Sequence, residues 1–215
     1  AGVRVVVLAG EGRSFCAGGD LEWMRAQFAA DRAGRIAEAR RLAGMLQALN
    51  TLPKPLIGRV QGAAYGGGVG LMAVCDAVVA STDARFGLTE TRLGLIPATI
   101  SPYVLARVGE GRARAVFFSG ATFGCDAARA LGLVWRAVVP EALDAAVEAE
   151  IAPYLAAAPA AVAAAKRLAR ALGPRIDEEV IEATIARLAD TWETPEAREG
   201  ITAFLDRRQA AWVVR

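Results

Sequence analysis

Apolar residues change period several times along the chain. The run Val3-Arg4-Val5-Val6-Val7-Leu8 is β-branched and mostly apolar, which predicts a buried strand of a parallel sheet. Residues 9–19 then read as a loop carrying Gly10, Gly12, Gly18 and Gly19. From about Asp20 the pattern turns helical, and Leu42, Met45, Leu46 and Leu49 recur at i, i+3, i+4 and i+7 before Pro53 and Pro55 stop it. Residues 56–60 read as a second strand, followed by a glycine turn, a short helix to about Cys75 and a third strand over 77–80. Strands alternating with helices imply crossover units, hence a mainly parallel α/β sheet. After Gly109 the pattern is helical, broken by a strand near 134–139. Helices are expected over 141–158 with a break near Pro153, then over 159–172, 177–191 and 195–212. The alanine-rich stretch 156–165 keeps apolar periodicity and reads as packed helix rather than low complexity. The division this suggests is an α/β core over 1–139 and a helical region over 140–215.

Composition narrows the chemistry. Apolar residues make up 54% of the chain and charged residues 22%, so a sizeable core is possible. The formal net charge of +2 is too near neutral for a nucleic-acid footprint. Histidine is absent, which removes Ser-His-Asp and Cys-His catalysis and imidazole metal sites. Cys16, Cys75 and Cys125 are odd in number and widely spaced, so neither a disulfide framework nor a zinc site is expected. A reducing cytoplasm is the default compartment for such a chain. The longest uncharged stretch, 60–75, contains five glycines and is too short to span a bilayer. Because a strand begins almost at residue 1, the chain is expected to start in mid-sheet.

Two glycine-rich turns carry the chemistry. One is Ser14-Phe15-Cys16-Ala17-Gly18-Gly19-Asp20-Leu21, the other Gly62-Ala63-Ala64-Tyr65-Gly66-Gly67-Gly68-Val69-Gly70-Leu71. Each runs from a strand into a helix. Glycine lets a ligand approach the backbone closely, and a helix N-terminus adds unpaired N–H groups and a positive dipole end. Two such turns converging would make an oxyanion hole. Either turn alone reads more often as a structural turn or a phosphate cradle than as an oxyanion site. A Walker loop is excluded because no Gly-Lys-Ser/Thr follows, and no acidic ribose partner stands where a dinucleotide fingerprint needs one.

Taken in order, the motifs are more specific. Phe15-Cys16-Ala17-Gly18-Gly19-Asp20-Leu21 is followed by Lys54-Pro55, the triple glycine, Cys75-Asp76, Phe86-Gly87, Glu90, Gly94-Leu95-Ile96-Pro97, Gly132-Leu133-Val134 and Val139-Pro140. This order closely resembles the enoyl-CoA hydratase/isomerase (crotonase) family over nearly the whole chain. The resemblance implies a ClpP-like spiral of strand–strand–helix units with a C-terminal helical region and assembly as homotrimers or homohexamers. It implies that the Gly19 and Gly67 N–H groups hold the oxygen of an acyl-CoA thioester, with Glu90 as the catalytic carboxylate. It also assigns Ala17, Gly66, Phe204 and Arg207 to coenzyme A, which enters as part of the substrate. No prosthetic group, metal, nucleic acid or membrane is implied.

The chain departs from the family pattern in three places. Family hydratases commonly use two glutamates, and the first is replaced by Gly70, which is expected to enlarge the acyl pocket. After Pro97 the usual glycine turn is replaced by Ala98-Thr99-Ile100-Ser101. Together these features resemble a bacterial subgroup that hydrates methylglutaconyl-CoA and isohexenylglutaconyl-CoA, branched carboxylated thioesters of leucine and terpene breakdown. Arg92 is the candidate to hold such a carboxylate. The third departure is an N-terminal segment, part of the usual fold, expected to be missing. The leading expectation is therefore an enoyl-CoA hydratase. A Δ3,Δ2-enoyl-CoA isomerase working with one glutamate, or a catalytically weak CoA-binding subunit, are the alternatives. Taken by itself, Glu90 reads as a surface charge near a strand end; the resemblance is what makes it catalytic. Asp20 is expected to cap the helix that starts at Leu21, Asp76 to be structural, and Trp23, Met24 and Phe28 to line the pocket or the core.

Overall fold

A computed structural model of the chain describes residues 2–214. The central element is a four-stranded parallel sheet in the order β1-β2-β4-β7, formed by Val6–Ala9, Leu56–Val60, Ala77–Ser81 and Arg136–Val138. β2 and β4 are the inner strands and almost wholly buried, as their continuous apolar runs require. β1 differs from expectation. It starts at Val6 and alternates in burial, with Val7 40% exposed, because among the described residues it is an edge strand.

A second sheet is built from three-residue strands that periodicity does not reveal. These are β3 (Ala63–Tyr65), β5 (Arg85–Gly87) and β6 (Thr122–Gly124). β3 and β5 run parallel, while β6 returns antiparallel to β5. The main core lies between the sheets and the helices α2 (Arg32–Thr51), α3 (Gly67–Val74) and α4 (Ser101–Val108), with Leu46, Met72, Phe86 and Tyr103 buried at its centre. α7 (Leu143–Ala156) covers another part of the parallel sheet, seating Leu143 and Val147 against Ile57 and Val79.

The remaining helices clasp this core. α1 (Leu21–Ala29) starts on Asp20, whose carboxylate accepts from the Glu22 and Trp23 N–H groups at 2.9 Å. The cap expected from the sequence is thus formed. α5 (Glu110–Phe117) and α6 (Cys125–Ala130) flank β6, and α8 (Pro159–Leu172) matches its predicted span. α9 (Glu178–Trp192) packs Ile185 on Ala39 and Ala43 of α2. α10 (Pro195–Leu205) ends seven residues before the predicted limit of Trp212. The break expected near Pro153 is absent. Pro153 sits inside α7 on an exposed side, and the helix continues through it. Asp76 is structural as expected: its carboxylate takes the Leu56 N–H at 2.8 Å and the Lys166 ammonium of α8 at 2.6 Å.

Candidate active site

Strand register brings the two glycine turns together. Cys16 bridges in parallel to Ala64, donating its N–H to the Ala63 carbonyl at 3.0 Å and accepting from Tyr65 N–H at 2.9 Å. Ala64 in turn pairs with Phe86 across β3 and β5. Three chain segments therefore reach their ends in register. Three residues beyond Cys16 lies Gly19, three beyond Ala64 lies Gly67, and four beyond Phe86 lies Glu90. All three line a single cavity of about 580 Å³.

Each glycine of the second turn has its own physical reason. Gly66 has φ 51°, and a Cβ there would stand 3.0 Å from the Glu90 Oε1. Gly67 opens α3, so its N–H has no acceptor within the helix, and its Cβ position faces open space. A Cβ at Gly68 would press to 2.9 Å on the Cβ and carbonyl oxygen of Cys16, so glycine here allows the two turns to touch. Among the described residues, neither the Gly19 nor the Gly67 N–H donates to a protein acceptor. Two unspent N–H groups at one cavity, one at the positive end of α3, can hold an oxygen that gains negative charge.

Glu90 begins a 3-10 turn, Glu90–Leu93, that leaves β5. Its carboxylate is buried enough that Oε2 lacks any partner among the described residues. Burial pushes its pKa up to about 7, a backbone hydrogen bond pulling weakly the other way. Such a group can take a proton and give it back near neutral pH. The turn is held from outside by α10. Leu95 packs with Ala197 and Ile201, and the helix comes so close that a Cβ at Gly200 would lie 2.5 Å from the Leu93 backbone.

The rest of the cavity is mostly apolar. Leu42, Met45, Leu71, Leu95 and Leu188 line it, with Trp23 and Met24 from α1 as expected; Phe28 stands outside. Arg41 is the cation among the lining residues, and it is already paired with Glu38 at 2.8 Å. Arg92 is not part of the lining. Of the positions assigned to coenzyme A, Gly66 lines the cavity. Ala17 is exposed and not part of the lining, and neither Phe204 near the end of α10 nor Arg207 just beyond it lines the cavity. Gly70 brings a correction. The space beside it is no enlargement of the pocket: a Cβ at Gly70 would stand 2.3 Å from the Cγ2 of Ile100, whose side chain fills that volume. Periodicity could not flag Ile100, Leu188 or Trp192 as site residues, since each reaches the cavity only through tertiary packing.

Comparison with known proteins points to one family. The enoyl-CoA hydratase/isomerase family model matches residues 1–215. A 2,3-dehydroadipyl-CoA hydratase of Escherichia coli strain K12 is 35% identical, covering 96% of this chain and 79% of its own. A crotonyl-CoA hydratase of Syntrophomonas wolfei is 32% identical over 98% of this chain and 81% of its own. The crystal structure of an enoyl-CoA hydratase from Mycobacterium avium superposes with a TM-score of 0.83 at 31% identity, covering 98% of this chain and 80% of that one.

Proposed function

Because this chain belongs to the enoyl-CoA hydratase/isomerase family, we propose that it adds water across the α,β double bond of an acyl-CoA thioester. The observation that carries the reading is Glu90, a buried carboxyl with a pKa near 7 in the same cavity as the free Gly19 and Gly67 N–H groups. In this reading the Glu90 carboxylate takes a proton from water, and the water oxygen bonds to Cβ. The π electrons of the double bond move to the thioester oxygen, which the two N–H groups hold as an enolate. Glu90 then returns the proton to Cα. A single oxyanion donor of this kind contributes about 3–4 kcal/mol in the transition state. Curated relatives named as hydratases support the same reaction.

A branched, carboxylated substrate such as 3-methylglutaconyl-CoA is the finer reading. Its support is the Ala98-to-Ser101 variant, with Arg41 at the cavity as the cation nearest to hand. Ala17 and Gly66 would border the coenzyme A moiety of the substrate. Phe204 and Arg207, which do not line their own cavity, fit a role toward a neighbouring subunit's coenzyme A in a homotrimer or hexamer. The exposed Leu168 and Leu172 on α8 are in keeping with such assembly. The protein is cytoplasmic in this reading.

A second reading is Δ3,Δ2-enoyl-CoA isomerase, favoured by Glu90 standing beside an apolar Ile100 while the other lining carboxylates, Asp20 and Glu38, are engaged by the start of α1 and by Arg41. Loss of enoyl absorbance is expected with crotonyl-CoA or 3-methylglutaconyl-CoA, and that loss should vanish in Glu90→Gln. If neither thioester is hydrated, the hydratase reading fails.

A further inference from the structure

Gly70 lies one helical turn beyond Gly66, its N–H donating to the Gly66 carbonyl at 3.3 Å. Gly66 is the N-cap of α3, so Gly70 stands about one helical turn further on, roughly 6 Å along the axis. Glu90 stands at Gly66, with Oε1 3.0 Å from the Cβ position. Ile100 stands at Gly70, with Cγ2 at 2.3 Å and Cβ at 2.8 Å from the Cβ position there. Both side chains line the same cavity. A glutamate at position 70 would therefore bring a second carboxylate beside Glu90, where the two could share one water. Ile100 fills that volume with methyl groups that accept and donate nothing. It is 2% exposed, belongs to the main core and stands at the start of α4, so it is not free to swing aside.

Resting on the acyl-CoA reading above, we propose that Ile100 is the residue that sets the ratio of water addition to double-bond migration at this site. Migration needs no water. The Glu90 carboxylate takes a proton from C2 of a 3-enoyl thioester. The C–H electron pair delocalises into a dienolate whose oxygen rests on the Gly19 and Gly67 N–H groups. Glu90 returns the proton to C4, leaving the double bond between C2 and C3. Hydration uses the same Glu90 but must also hold a water at Cβ, and the wall made by Ile100 removes the place where a second base would orient it. The wall also explains why position 70 is glycine: any side chain there collides with Ile100 before it reaches the substrate.

The test compares hydration of crotonyl-CoA with isomerisation of 3-hexenoyl-CoA in the whole protein. Ile100→Ala is expected to raise the hydration-to-isomerisation ratio several-fold by admitting water beside Glu90. Adding Gly70→Glu to Ile100→Ala should raise that ratio by about 100-fold more, the usual worth of a positioned acid–base group. A ratio in both variants equal to that of the parent protein overturns the proposal. The packing behind it is read separately by melting temperature. Gly70→Ala should lower it clearly in the parent and much less in an Ile100→Gly background. Equal losses in the two backgrounds also overturn the proposal. Absence of both activities in the parent protein would instead overturn the acyl-CoA reading, and the melting comparison would still judge the role of Ile100.

Discussion

Burial holds the Glu90 carboxyl near pH 7, against an ordinary value of 4.5. The folded state therefore favours the neutral acid. That contribution to stability is complete below about pH 4.5 and is lost as pH rises through 7, where ionisation of a buried group costs on the order of 3 kcal/mol. Glu90→Gln removes the titration. Its melting temperature should gain on the parent between pH 5 and pH 8, and a pH-independent difference would show that the burial is not felt. Activity runs the opposite way, because the base must be ionised. The kcat/KM of the parent should fall below an inflection near 7, and that of Glu90→Gln should be lower by about 10²–10⁴-fold at pH 8. Gly68 offers a second test at this scale. Gly68→Ala drives a methyl into the Cys16 backbone at 2.9 Å and forces apart the turns that carry Gly19 and Gly67. Overpacking of this kind costs about 1–3 kcal/mol, and activity should fall further than the melting temperature suggests. Both glycine turns could be read from the sequence, because glycine runs between a strand and a helix are local signals. The specific duty of Gly68 could not, since its partner Cys16 lies fifty-two residues away.

Among the elements, helix ends and helix contacts position the site. Asp20 caps α1 directly after Gly19, so the turn and the helix stiffen each other. Asp20→Ala should cost about 1 kcal/mol of stability and loosen the Gly19 N–H, seen as a fall in kcat/KM with the fold retained by circular dichroism. α10 supports Glu90 in a similar way from outside. Gly200→Ala places a methyl 2.5 Å from the Leu93 backbone and should lift α10 from the Glu90–Leu93 turn, lowering kcat together with thermal stability. Unchanged kcat would mean that the turn holds its shape without α10. Long helices such as α2, α8 and α9 were legible because their periodicity persists for several turns. The three-residue strands β3, β5 and β6 were not, since three residues cannot display alternation. The end of α10 was overrun because Ala210, Ala211 and Trp212 resume an apolar pattern after the polar run 206–209, whereas the backbone already leaves the helix at Arg207, whose φ is 55°.

For the whole molecule, the polar tie between α8 and the sheet is the pair Asp76 and Lys166, beside the apolar packing of α7. Lys166 is 10% and Asp76 25% exposed, and Asp76 also takes the N–H that opens β2. Lys166→Met leaves a largely buried carboxylate without its ammonium, a change that typically costs about 3–5 kcal/mol. Urea unfolding should show that loss, and a shift below 1 kcal/mol would mean that Arg170, 4.0 Å from the other carboxylate oxygen, or water replaces the ammonium. Membership of the family was readable from motif order alone, and the family model matches residues 1–215.

Local chemistry was within reach of the sequence: which segments turn, which residues free a backbone N–H, which carboxylate stands after Phe86-Gly87, and which aspartate caps a helix. Each of these depends on neighbours a few positions away. Only the tertiary structure decided what fills the space at Gly70, which cations reach the cavity and which helix braces Glu90. Those outcomes depend on volumes shared by residues far apart in the chain. A missing side chain at Gly70 looks like empty space in a sequence, whereas close packing has already given that space to Ile100.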